Sequence, residues 1–218
     1  MPSSWDGSGW KANIASLEHQ VAVAFHGDIG IESTLLPGPT CSADQATCLA
    51  GAGAGGGPPE VGADRLDPLL LYMRALDVPA PRTAGDDEAI AGARLFAEFG
   101  CSTCHVPTLR TGPSPVAALS DREIAPYTDL LLHDMGFDMG DGRPDFRASG
   151  NEWRTPPLWG LGLIPAVDGS LGLLHDGRAR TIEEAILWHG AEGGPSRAQF
   201  LLASATERRQ LIRFLESL

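Results

Sequence analysis

Lysine is nearly missing from this chain: Lys11 stands alone beside fifteen arginines. Acidic residues outnumber basic ones by 28 to 16, giving a formal net charge of −12. A chain so poor in positive charge lacks the electrostatic footprint of a nucleic-acid binder, which must neutralise phosphates. No window reaches the apolar length of a membrane span. Residues 1–10 also lack the charged-then-apolar layout of a secretory signal. Cysteine is restricted to four positions, Cys41, Cys48, Cys101 and Cys104. These do not make two zinc-type pairs, because six residues and not two separate Cys41 from Cys48.

What the chain does have is glycine (27) and proline (17), the composition of long loops between short regular elements. Its 43% hydrophobic content suffices for an ordinary buried core, and 218 residues give room for one domain plus extensions.

The most telling segment is Cys101-Ser-Thr-Cys104-His105. Two thiols at this spacing can add to the two vinyl groups of a porphyrin, and the adjacent imidazole can then bind its iron. A thioredoxin-like pair shares the C-x-x-C but needs a βαβ context and has no use for the histidine. A c-type haem attachment site is therefore the reading, with Cys101 and Cys104 as anchors and His105 as proximal ligand. Two haem propionates would add negative charge, so Arg154, Arg178 and Arg180 are candidate partners for them. Cys41 and Cys48 read as a short-loop disulfide, which requires an oxidising compartment, as does covalent haem attachment. A periplasmic location follows, with the native N-terminus expected to be missing from the chain.

Periodicity predicts helices within 11–26, 64–77, 86–100, 181–189 and about 206–217. Asn13 or Ser16 can cap the first, and Pro68 falls in the first turn of the second. Residues 51–57 form a low-complexity glycine run suited to a linker. From Val106 to Leu174 the pattern is loop, with no strand predicted. The fold class is mostly α: a cytochrome c-like haem domain with long Gly/Pro-rich loops. Residues 1–82 are expected to be a remnant of a preceding domain plus linker, and 83–218 the haem domain.

A second axial ligand can come from His19, His26, His133, His175, His189, Met73, Met135 or Met139. Thr181 and Glu184 mark a helix start, after which Ile182, Ala185, Ile186 and His189 share one face, with Gly190 closing the helix. That points His189 to the core, where an iron would satisfy it. His133 and His175 each precede Asp in a Gly-containing loop and remain competitors, and Met135 would serve a high-potential His/Met centre.

Several segments together carry a resemblance: Trp153-Arg-Thr-Pro-Pro-Leu158, the run from Leu174-His-Asp-Gly to Trp188-His-Gly190, Trp10-Lys-Ala-Asn13, residues 20–28 and 127–136. They resemble the C-terminal haem domain of bacterial di-haem cytochrome c peroxidases. More closely, they resemble the di-haem oxidoreductase family often labelled "thiol oxidoreductase". The resemblance implies a bis-histidine haem held by His105 and His189, with His175 nearby in the pocket. It also implies a second C-x-x-C-H in a preceding half, absent here, so the partner would be that missing N-terminal haem domain or a separate redox protein. Relatives place a tryptophan between haem domains, a role open to Trp10 beside ordinary packing, and hold a calcium whose ligands cannot be assigned in this sequence. The acidic run 133–145 lacks the regular EF-hand ladder.

The expected function is single-electron transfer by one covalent haem c. Two alternatives stand beside it. In one, an open iron makes the chain a peroxidase-type enzyme, with His133 or His175 as acid–base. In the other, the chain is an incomplete remnant that does not load haem.

Overall fold

The computed structural model describes residues 9–52 and 59–218. The glycine run falls largely outside them. The chain forms two compact units, one of residues 14–77 and one of residues 10–13 with 78–218. Regular structure is mostly helical, as the composition implies, with eight α-helices among the described residues. None of these helices is long and apolar enough to cross a membrane.

The smaller unit holds α1 (Leu17–Ile29), α2 (Ala46–Gly51) and α3 (Ala63–Arg74). Helix α1 starts later than its periodicity suggests. Ser16 accepts the His19 N–H and fixes the boundary, and the chain leaves the helix through Gly30 at φ +70° instead of at Gly27. In α3, Pro68 lies inside the helix and not in its first turn, so one backbone hydrogen bond is lost there. Helix α2 was not foreseen, because a single turn and a half carries no periodicity.

Val21, Leu66 and Leu70 form the small core between α1 and α3, with Leu17, Phe25 and Leu69 packed against it. Cys41 and Cys48 are joined as expected, with Cα atoms 5.8 Å apart. In a unit whose core cluster is this small the cross-link carries weight. Replacing both cysteines by serine is expected to cost this unit about 2–3 kcal/mol by loop-closure entropy. Thermal melts of the reduced or doubly substituted protein would show it.

In the larger unit, α4 (Asp87–Glu98) packs along α8 (Ala205–Ser217). Both starts are capped: the Asp86 carboxylate accepts the Ala89 N–H, and Ser204 with Glu207 forms a complete capping box. The helices cross at Gly92, where a Cβ would stand 1.9 Å from the Gln210 carbonyl oxygen. Only glycine permits that approach. Around the crossing, Phe96, Phe200, Leu211, Phe214 and Leu215 form the main core. Each buries a side chain worth roughly 1.5–3 kcal/mol.

Residues 106–174 are less bare than expected. Two short antiparallel pairs occur: β1 (Leu109–Arg110) with β2 (Glu123–Ile124), and β3 (Leu132–Asp134) with β4 (Glu152–Arg154). Two- and three-residue strands show no alternation that a sequence pattern could reveal. Helix α5 (Ile164–Asp168) follows, then α6 (Ile182–Trp188) and α7 (Gly194–Leu202). Thr181 caps α6 as expected, accepting the Glu184 N–H. Helix α7 lies between the two helices expected at 181–189 and about 206–217, in a segment where none was predicted.

Candidate functional site

The C-x-x-C-H segment hangs from the end of α4. Gly100, at φ +80°, turns the chain into one 3-10 turn over Cys101–Thr103. Cys101 and Cys104 are free thiols, each partly exposed. Burial pushes the Cys101 thiol up to about 11, so it stays protonated at neutral pH. The Thr128 N–H donates to the Val106 carbonyl and secures the far side of the motif.

His105 faces His189, with ring centroids 6.5 Å apart and planes inclined by 50°. The Nδ1–H of His105 donates to the Tyr127 carbonyl at 3.0 Å. The Nδ1–H of His189 donates to the Ala185 carbonyl at 2.8 Å. A carbonyl only accepts, so each Nδ1 carries the proton and each Nε2 keeps its lone pair. Desolvation, the chief cause, depresses both rings, His105 to about 4, so both are neutral at pH 7. Yet each remains partly exposed, as a group lining a narrow cleft is. Phe96 backs His105, with ring centroids 6.4 Å apart.

Two imidazoles bound through Nε2 to opposite sides of one metal have centroids roughly 6 Å apart, since each metal–nitrogen bond is about 2 Å and each ring adds about 1 Å. The observed spacing, the neutral rings and the fixed tautomers together fit an iron between them. Two thiols at attachment spacing lie beside one of the rings, so the donor set fits a haem.

His189 itself departs from the helical geometry expected of it. Helix α6 stops at Trp188, and His189 is the cap, its ring turned back to the carbonyl four residues earlier. Gly190 does not close the helix in a left-handed conformation. Its φ is −110°, and it is needed because a Cβ would lie 2.8 Å from the Met135 carbonyl. The Met135 methyl and the His189 ring both border Gly193.

These observations converge with comparison to known proteins. The model of one family, described as "Di-haem oxidoreductase, putative peroxidase", matches residues 1–218. The chain belongs to that di-haem oxidoreductase family. No curated protein and no solved structure matches it. Membership implies a haem cofactor and an oxidoreductase role. Within this di-haem oxidoreductase chain, C-x-x-C-H occurs once.

The remaining candidates lie elsewhere. His175 stacks on Trp153 at 3.5 Å and 10°, with Trp10 edge-on at 6.5 Å. Its Nδ1 is buried without a hydrogen-bond partner among the described residues, and burial lowers its proton affinity. Lys11 places its ammonium 3.7 Å over the Trp153 ring. Imidazole and ammonium cannot share one face at these distances, so they sandwich the indole. Lys11 also pairs with Asp141 at 3.3 Å, making the sole lysine the counter-ion of the acidic run.

Arg154 is half-buried on β4, and its guanidinium reaches the Thr155 carbonyl at 3.4 Å. Arg178 is held by Asp176 and the Asp138 carbonyl, over the Trp188 ring at 4.8 Å. Arg180 is exposed beside Glu184. His133 has both nitrogens engaged by carboxylates, Asp129 and Glu192. Neither acid was singled out from sequence, and nothing local to either residue signals its partner.

Proposed function

We propose that this chain is a c-type cytochrome module with a cytochrome c-like fold that moves single electrons. Cys101 and Cys104 would anchor one covalent haem, and His105 and His189 would hold its iron. The observation that carries the reading is the facing pair of neutral imidazoles, each with Nδ1 committed to a backbone carbonyl. That second contact orients the ring and leaves one nitrogen for the metal.

Bound haem supplies a reversible one-electron couple. The residues supply the rest. Tyr127 and Ala185 fix the two tautomers. Phe96, Phe214 and Tyr127 present an apolar wall of edge-to-face rings behind His105 that keeps water from its side of the cleft. Arg154, Arg178 and Arg180 are the proposed partners of the propionates, with Arg154 first because it is half-buried on β4. His175 lies in the same unit, stacked on Trp153 one residue from Arg154, and takes a role beside the pocket instead of on the iron.

Two committed imidazoles leave no open position for peroxide, which favours electron transfer over a peroxidase reaction within this chain. The partner is a redox protein or a second haem domain. The disulfide and the attachment chemistry support a periplasmic setting.

Expression with a periplasmic haem-maturation system tests this directly. One haem per chain should survive denaturation, and the native ferric protein should be low-spin. Haem that leaves on denaturation, or a high-spin native spectrum, would overturn the reading.

A further inference from the structure

His133 lies on β3 with both ring nitrogens 2.8 Å from a carboxylate oxygen, Nδ1 to Glu192 and Nε2 to Asp129. Ionised carboxylates only accept, so the ring donates twice and is an imidazolium. Burial opposes that charge, but the bonds to Glu192 and Asp129 outweigh it and raise the proton affinity of His133. Both acids are correspondingly depressed. In that state neither ring nitrogen of His133 has a lone pair free. What the ring does is join two segments.

Each segment serves one of the facing imidazoles. Glu192 is three residues beyond His189, in the 3-10 turn Ala191–Gly193, and its other oxygen accepts the Asp134 N–H at 2.9 Å. Asp129 is two residues beyond Tyr127, whose carbonyl orients His105. Thr128, between them, is fastened at both ends: its N–H to Val106 and its hydroxyl to the Thr155 carbonyl at 2.6 Å. Ligand atoms of Asp129, His133 and Cys104 lie within 4.8 Å of one another, so the bridge runs beside the attachment motif itself.

We propose that His133 is a positioning residue: the bridge Asp129–His133–Glu192 straps the His189 loop to the segment that orients His105, and so sets the gap between the two imidazoles. This rests on the haem reading above. A ligand at a helix end, followed by glycine, has little of its own to resist drift, and a site held loosely by about 1 Å loses its intended coordination. The strap supplies that resistance from outside the ligand set.

The test uses matured holoprotein: wild type, His133→Ala, Glu192→Gln, the double variant, and Asp86→Ala as a control. Glu192→Gln keeps the side-chain length but removes the charge and turns one of the two accepting oxygens into an NH2 donor, so it cannot accept from both the His133 ring and the Asp134 N–H. Readouts are the low-temperature ferric EPR spectrum and the rate of cyanide binding. The strap predicts a low-spin wild type, a high-spin fraction in both single variants, and cyanide binding faster by about tenfold or more, a barrier lower by about 1.4 kcal/mol. The double variant should be no worse than the more affected single one, because one bridge is broken in each. Asp86→Ala removes a helix cap and the ion pair with Arg213, so it should lower the melting temperature and leave both readouts unmoved.

Single variants with wild-type spectra and rates would overturn the strap. If His133→Ala yields no holoprotein, Glu192→Gln decides alone. A wild type that is high-spin overturns the haem reading and the strap with it. A low-spin wild type beside unchanged variants overturns the strap only.

Discussion

Replacing His189 by alanine is expected to turn a low-spin ferric protein high-spin and to open its iron to added ligands. The expectation follows from how little else in the cleft can take its place. His133 gives both nitrogens to carboxylates. His175 is committed to a stack with Trp153. Met135 borders the same glycine as His189, so its thioether is the substitute expected among the described residues. A weak, strained thioether bond would appear as a sulfur–iron absorption band, separable from a five-coordinate spectrum. Cyanide should bind at least tenfold faster, the equivalent of about 1.4 kcal/mol off the barrier. His105→Ala should do more damage, because it removes the ligand adjoining the attachment cysteines, and should abolish stable haem loading. A His189→Ala protein with an unchanged low-spin spectrum would remove His189 from the iron.

Gly92→Ala is expected to destabilise the larger unit strongly. The added methyl would meet the Gln210 carbonyl oxygen at 1.9 Å and the Phe214 Cβ at 2.7 Å. Neither neighbour is the far end of a flexible side chain, so helices α4 and α8 must move apart. Overpacking of this kind costs typically about 1–3 kcal/mol, and backbone contact puts this case at the upper end. In a protein of this size that is a fall of roughly 6–12 °C in melting temperature. The displacement would also reach the site, because Phe96 on α4 contacts both Phe214 and the His105 ring. Gly27→Ala is the matched control. It lies within α1 with nothing within 4 Å of the new methyl, and should be neutral or gain up to about 1 kcal/mol of helix propensity. Thermal melts of the two variants side by side separate close approach from glycine replacement as such. Equal melting temperatures would sink the argument.

Sequence by itself determined whatever rests on neighbours along the chain. The attachment spacing at Cys101, Cys104 and His105 is a local pattern. So are the caps at Ser16 and Thr181, and the short loop that brings Cys41 to Cys48. These features depend on contacts a few residues long, and periodicity or spacing exposes them. Family membership was legible for the same reason, from short motifs read one at a time.

Tertiary structure decided what depends on segments meeting across long loops. The 6.5 Å approach of His105 to His189 is set by where α4 and α6 pack, though the helix face of His189 hinted at it. The burial of Lys11 against Trp153 and Asp141, the latter 130 residues away, left no sequence trace. Nor did the pairing of β3 with β4, whose strands are too short to alternate. His133 shows the limit most clearly. Its sequence context fits a ligand, a loop anchor or an acid–base group equally well. Only the arrival of Glu192, 59 residues later, on the other nitrogen of a ring already held by Asp129 fixes its charge and its partners. A histidine's chemistry is set by what meets its two nitrogens, and here both partners come from the fold.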